Sequence, residues 1–363
     1  MTDVYRILEE AAAAAELDDR AALAALLDRA DGLTADDPQL LDHFRTALRA
    51  RLRPPADEGN LYLRADGDAQ IDLFAVLARH LPLLRAAHYA NDSLLPFLHG
   101  HERATVLALG IGEGRQERDL LARARHLREL TVVGVDIAAG SLAAAESALK
   151  AGAADTTVDF HPVTAATEDL DDNFWQTLAR LPRPLLVTAS FALHHLRDTP
   201  DGHDTRAALF HRLRAQDPAA VALCEPDADH HRSPLPARLA SARHHYGTLF
   251  AAIDTTAATH AEKTAMKRFF GREIHNVIGA GDADRYERHE PPHAWTARLT
   301  AAGFRPLTPA RPDPLPEPGF TATAHPTHLT LAFKDVPLAA VIVAVPDRPP
   351  HPNRRSVRTP PPG

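Results

Sequence analysis

The run Leu107-Ala108-Leu109-Gly110-Ile111-Gly112-Glu113-Gly114 constrains this chain more than any other stretch. It grows out of a short apolar segment, Thr105 to Leu109, of strand length, and ends on three glycines at alternate positions. A helical pattern follows from about Arg115 to Leu127. A strand that passes through glycines into a helix lets the backbone approach a ligand and offers it the free N–H groups of the helix start. Leu130 to Val135 reads as a second strand, stopped by Asp136. An acid in that position can accept hydrogen bonds from both hydroxyls of a ribose. The spacing is G-x-G-x-G, whereas G-x-G-x-x-G suits a pyrophosphate. The run favours S-adenosylmethionine or its product, with a dinucleotide site and a vestigial site as the alternatives.

The alternation continues. Ser141 to Ala151 is helical, and Thr157 to Pro162, Leu185 to Ala189 and Ala219 to Leu223 read as further strands. Leu329 to Phe333 and Ala339 to Val345 look like a closing pair. Strands that alternate with helices predict an α/β fold with a parallel sheet and crossovers. Upstream, Val4, Ile7, Leu8 and Ala11 fall at helical spacing, as do Leu23, Leu26 and Leu27. A third helix restarts at Asp36-Asp37-Pro38 and ends at Pro54-Pro55. Residues 70–99 and 233–276 are also mostly helical, and Trp295 to Ala302 is a helix that ends at Gly303. The expected architecture is a Rossmann-like class I methyltransferase core with a helical cap subdomain. Its parts are N-terminal helices of the cap (1–99), the cofactor-binding core (100–232), a helical cap insertion (233–276), the C-terminal part of the core with the closing strands (277–345) and a disordered proline-rich tail (346–363).

Composition narrows the function classes. Apolar residues form 45% of the 363, enough for a sizeable core. The net charge is −8 and the basic residues form no long stripe, which argues against a nucleic-acid partner. Arg354, Arg355 and Arg358 read as a solvated terminus. A single cysteine, Cys224, excludes an intrachain disulfide and a cysteine-based metal site. No apolar window reaches the length of a membrane span and no secretion signal opens the chain, so a cytoplasmic protein is expected.

Candidate site residues cluster at the carboxyl ends of the expected strands, where α/β proteins bind ligands. Gly110, Gly112, Gly114 and Asp136 are expected to hold cofactor, with Glu168, placed to meet the adenine amino group, and Ser190 after the fourth strand. His194, Glu225, Asp227 and Asn276 are expected to face a methyl acceptor as catalytic groups. His195, His230, Tyr246 and Arg272 are expected to bind it. Glu225 has a structural alternative, a pair with Arg272 or Arg238. Arg272, Asn276, Arg285 and Glu290 either bind one another or line the pocket. The histidine pairs at 194–195, 230–231 and 244–245 lack ligand spacing, so no metal is expected and they read as surface side chains. Trp295 reads as core.

Several segments together resemble the GRAS family. Phe44 to Leu52 resembles its first leucine-rich region, Ala87-His88-Tyr89-Ala90-Asn91-Asp92 the segment before its first strand, and Leu193-His194-His195-Leu196 its Leu-His-x-Leu. Cys224 to His231 resembles its acid-rich segment, with Arg238, Tyr246 and Phe250 following at matching spacing. Phe270-Gly271-Arg272-Glu273-Ile274-His275-Asn276-Val277-Ile278 is the most specific stretch, continued by Arg285 to Glu290, Trp295, Arg298, Gly303 and Phe304. The resemblance covers residues 4–345. The family is known best as plant transcriptional regulators, with bacterial relatives regarded as methyltransferases. Here its Val-His-Ile-Ile-Asp run is replaced around Ala108, which removes an acid that class I methyltransferases often carry, and its closing Ser-Ala-Trp becomes Val341-Ile342-Val343. The long plant N-terminal extension is missing. These departures favour a bacterial-type member: an S-adenosylmethionine-dependent methyltransferase of specialised metabolism, acting on a small molecule or peptide side chain. The alternative is a non-catalytic ligand-binding or protein-interaction module with a regulatory role. Neither the acceptor nor the oligomeric state is legible.

Overall fold

The computed structural model describes residues 4–53, 67–199 and 201–347. The helix stop at Pro54-Pro55, the three tail arginines and the proline-rich tail from 348 onward lie outside the described residues.

Three helices open the chain: α1 (Val4–Glu16), α2 (Arg20–Asp31) and α3 (Pro38–Ala50). The side chain of Asp19 caps α2 by accepting the Ala22 N–H, and Asp37 caps α3 by accepting that of Leu40 just ahead of Pro38. α4 (Gly67–His80) and α5 (Ala86–Leu94) then lead into β1 (Arg103–Leu109). The alternating half comprises α6 (Arg115–Arg123), β2 (Glu129–Asp136), α7 (Ala139–Ala151), β3 (Thr157–Thr164), α8 (Asp172–Leu178), β4 (Leu185–Ser190), α9 (Thr205–Ala215) and β5 (Ala220–Pro226). Two long helices, α10 (Leu235–Thr255) and α11 (His260–Ile274), come next; a π-helical turn (His275–Gly279) extends the second. The chain closes with α12 (Pro292–Ala301), β6 (Phe304–Pro306), β7 (Phe320–Ala324), β8 (Leu329–Phe333) and β9 (Val336–Pro346).

This is a mixed α/β fold on one central sheet, with the strand order β3-β2-β1-β4-β5-β9-β8-β7 and β6 paired to β9. β1 to β5 are mutually parallel, and β9 joins β5 in antiparallel sense. Side-chain alternation along the strands builds two cores. Val106 and Ala108 face one of them, with Leu120, Leu142 and apolar side chains of α1, α3, α5, α10 and α11. Leu107 and Leu109 face the other, with Trp175, Phe210 and Trp295. Strands buried on both faces explain why β1, β2 and β4 read as unbroken apolar runs. β6 and β7 are not visible in the sequence. The first has only three residues, and the second is a half-exposed alternation of threonine and alanine.

Strand order reverses between β1 and β4: one leads outward to β2 and β3, the other to β5. A crevice therefore opens beyond their carboxyl ends. α4, α10 and α11 stand over it and close it into a cavity.

Candidate functional site

The cavity measures about 560 Å³. Leu81, Leu84, Leu249, Phe269 and Phe270 give it an apolar wall. Its floor is the glycine loop together with the short turn Leu193–His195 that follows β4.

The glycine loop is built by local necessity. Gly110, Gly112 and Gly114 have φ of 68°, 52° and 68°, in the left-handed region that disfavours side chains. A Cβ on Gly110 would also collide with that of Ala192. Gly110 and Ile111 donate their N–H groups to Val135 O, at 2.8 and 3.1 Å, which ties the loop to β2. Asp136 completes the brace. Its Oδ2 accepts from Gly112 N and its Oδ1 from Ala138 N, each at 2.9 Å.

Beneath the loop lies a polar network that sequence reasoning missed. Thr188 Oγ1 donates to Glu117 Oε1 at 2.7 Å, and burial pushes the Glu117 carboxyl up to about 7. Ser190 Oγ donates to Gln116 Oε1 at 2.6 Å. Asn91 Nδ2 donates to Gln116 O and Asp119 Oδ2, both at 2.9 Å. Asn91 lies in a segment that carries the family resemblance, which was the available signal.

The second half of the floor is a nest of histidines and carboxylates. Phe191, at φ 54°, turns the chain after β4 and donates its N–H to Cys224 O at 2.7 Å. That turn delivers His194 to Glu225. His194 Nδ1 lies 2.6 Å from Glu225 Oε2, and the same carboxylate accepts the N–H groups of Leu193 and His194 at 2.9 and 3.3 Å. His194 Nε2 lies 3.3 Å from Glu287 Oε2, and His195 Nδ1 lies 3.6 Å from Glu287 Oε1. Burial opposes charge on His194, but the carboxylates of Glu225 and Glu287 win and raise its pKa to about 10. Burial and then the His194 charge lower His195 to about 3. Burial works against the Glu287 charge too, yet the surrounding histidines hold its carboxyl well below the usual range. Glu273 behaves oppositely: burial and the Glu287 charge push it up. Arg206, fully buried, donates to Leu193 O and His194 O at 3.2 and 3.1 Å and so fixes the turn from behind.

Of the residues expected from sequence, Gly110, Gly112, Asp136, Glu168, Ser190, His194 and His195 line the cavity, and burial raises the Glu168 carboxyl. Gly114 lies beyond the cavity, packed against Ala145. Glu225 also stays behind the floor, paired with His194 and neither with Arg272 nor with Arg238. Asp227 is absent from the cavity wall; its N–H bonds Leu338 O, and burial pushes its carboxyl up to about 6. Asn276 is a backbone clamp, since its Oδ1 accepts from Tyr286 N and Glu287 N, both at 2.8 Å. His230 is fully buried, stacked on Tyr246 and 3.1 Å from His289 through the two Nδ1 atoms. Tyr246 donates to Glu273 Oε2 at 3.1 Å from one layer behind the wall. Arg272 sits over the Phe269 ring and outside the cavity. Arg285 binds His231 O and Asp282, and Glu290 binds Arg298, so this polar set is structural. Trp295 is in the core. The surface reading holds for His244, which is exposed, and is corrected for the others: His194, His230, His231 and His245 are buried and His195 half-buried, because folding sets His194 and His195 against Glu225 and Glu287, His231 against Asp198, and His230 and His245 against Tyr246 and His289. Glu273, Glu287 and His289 went unnoticed, although all three lie within stretches that carry the resemblance.

Among the described residues no helix is long and apolar enough to cross a membrane. The GRAS domain family model matches residues 5–311. Scarecrow-like protein 28 of Arabidopsis thaliana is 27% identical over 235 residues, which are 62% of this chain and 35% of that protein. DELLA protein 2 of Medicago truncatula is 27% identical over 239 residues, 62% of this chain and 44% of that one. The chain thus spans less than half the length of these curated relatives. The crystal structure of SCL7 from Oryza sativa shares the fold with a TM-score of 0.77, at 22% identity, over 95% of this chain and 100% of that one. These matches overturn the expectation of a bacterial methyltransferase that uses S-adenosylmethionine, because the relatives are plant DELLA and Scarecrow-like proteins. Glu225 and Asn276, cast as catalytic groups, are engaged by the protein's own N–H and imidazole groups, while Asp136 braces the loop backbone and lines the cavity.

Proposed function

Because the chain belongs to the GRAS domain family, we propose that it is a non-catalytic regulatory module whose central cavity receives a small ligand. The cavity is the observation that carries this reading. At about 560 Å³ it falls within the roughly 300–1,000 Å³ of small-molecule sites. One wall is apolar, from Leu81, Leu84, Leu249 and Phe269, and the opposite floor offers His195 and Glu168 as polar ends. That pairing suits a compact amphipathic molecule with an apolar body and a hydrogen-bonding head. In this reading the described residues of 100–232 and 277–345 form a Rossmann-like core, supported by the order of its parallel strands, and the described residues of 1–99 and 233–276 form the cap that completes the cavity. Neither nucleic acid nor a membrane is its partner, and the cytoplasm is its compartment. Ligand binding would be reported through the cap, whose outer surfaces are free to meet another protein.

The test is native mass spectrometry of the purified chain for a co-purifying small molecule, followed by a thermal-shift screen of amphipathic compounds. Leu249→Trp, which fills the cavity from α10, serves as control. Compounds that raise the melting temperature of the natural chain and not of Leu249→Trp support the proposal. Shifts of equal size in both, or none at all, would reject a ligand in the cavity and leave protein interaction as the regulatory mode.

A further inference from the structure

The nest under the cavity floor holds more ligating groups than a small-molecule pocket needs. We propose that His194, His195 and Glu287 bind a divalent transition-metal ion of the zinc class, with one coordination position turned toward the cavity. The inference does not depend on which small molecule the cavity takes.

Spacing is the first argument. One ligand atom from each of the three side chains lies within 4.8 Å of the others. His194 Nε2 lies 3.3 Å from Glu287 Oε2, and His195 Nδ1 lies 3.6 Å from the other oxygen, Oε1. Zinc bonds of about 2.0–2.2 Å at tetrahedral angles put neighbouring donors about 3.3–3.6 Å apart. The nest is therefore within a small contraction of a coordination sphere.

Orientation is the second. His194 gives its Nδ1 to Glu225 and directs Nε2 at Glu287, and the ion takes the place of the Nε2 proton, which is released to solvent. A carboxylate on the far ring nitrogen is the common partner of a metal-bound imidazole, because it fixes tautomer and ring angle and raises ligand basicity. Glu225 is itself held by two backbone N–H groups.

Unmet demand is the third. Glu287 is fully buried, and its Oε1 accepts no hydrogen bond from any described residue. A buried carboxylate oxygen in that condition favours a cation beside it. Glu273 and His289 form a second set with the same Glu287, again within 4.8 Å, and offer a fourth ligand. Two imidazoles with a carboxylate suit a borderline ion; calcium and magnesium favour oxygen donors. His194, His195, Glu273 and His289 all line the cavity, so the ion has a route in and an open position facing the ligand space.

The test is titration of the chelator-stripped full chain with Co²⁺, read by visible absorption and by displacement with Zn²⁺. A parallel sample carries ¹⁵N-labelled histidine for ring-nitrogen NMR. Saturation at one Co²⁺ per chain is expected, with shifts at the His194 and His195 rings. Binding should weaken by at least about tenfold in His195→Ala and in Glu287→Gln. If Glu287→Gln fails to fold, His195→Ala at the cavity edge and the ring shifts of the natural chain decide the matter. The proposal is overturned by the absence of saturable Co²⁺ binding, by unchanged affinity in His195→Ala, or by shifts confined to other histidines.

Discussion

His194 Nδ1 and Glu225 Oε2 lie 2.6 Å apart in the dry interior, and the backbone N–H groups of Leu193 and His194 converge on the same carboxylate. Glu225 thereby fixes a whole turn, both its main chain and its imidazole. A residue at the carboxyl end of β5 thus shapes the floor of a cavity that it does not itself line.

Glu225→Gln tests that coupling. The amide keeps the shape and one acceptor oxygen, but leaves the His194 charge to Glu287 alone. Breaking a buried pair of this kind should cost about 3 kcal/mol. Urea unfolding at neutral pH is the measurement. A loss below roughly 0.5 kcal/mol, the ordinary range of surface changes, would show that the pair is not what holds the turn.

Glu117 gives a prediction in pH. Its carboxyl is pushed from 4.5 to about 7 by burial, so the folded state keeps a proton that the unfolded chain releases. Below pH 4.5 both states hold it, and the full contribution to stability is present. As pH rises from 4.5 through about 7, that contribution is lost. Glu117→Gln cannot titrate. Subtracting its stability profile from that of the natural chain should reveal a fall of about 3 kcal/mol across this window. A flat difference would place Glu117 in contact with water.

Two glycines of one loop should respond differently to alanine. At Gly112 a Cβ meets nothing within 4 Å, so only the φ of 52° resists it. Gly112→Ala should cost about 1 kcal/mol. At Gly110 the φ of 68° is joined by collision with Ala192. Gly110→Ala should cost about 3 kcal/mol, the sum of backbone strain and overpacking. Chemical denaturation of both variants checks the order. Equal losses would mean that Ala192 moves aside freely.

Much of the fold is legible because burial leaves a pattern. β1, β2 and β4 are apolar runs since both faces are covered, and the start of α3 announces itself through Asp37 and Pro38. The glycine loop is legible for the same kind of reason, as a backbone requirement. Chemistry is less so. The G-x-G-x-G spacing speaks of conformation and not of what is bound, and Asp136, read as a ribose ligand, has a bracing role in the loop that the spacing does not reveal. The nest is legible only in part: the sequence singles out His194, His195 and Glu225, but not Glu273, Glu287 and His289. His194 and His289 come from distant segments, and only the finished fold sets their rings 4.8 Å apart. Asn276 misleads for a related reason: its partners are main-chain N–H groups, which no side-chain pattern reveals.

β9 has a consequence for how the chain reaches this state. It lies between β5 and β8, so among the described strands the antiparallel half of the sheet pairs with the parallel half only through it. Its partner Val221 pairs with Ala344 across more than a hundred residues of chain, a contact whose closure is slow. Until that pairing forms, β5 presents an open, apolar strand edge of the kind that templates aggregation. Assembly of the sheet should therefore be slow, late and sensitive to protein concentration, and any shortening of the chain before Val336 should yield inclusion bodies in place of a smaller folded unit.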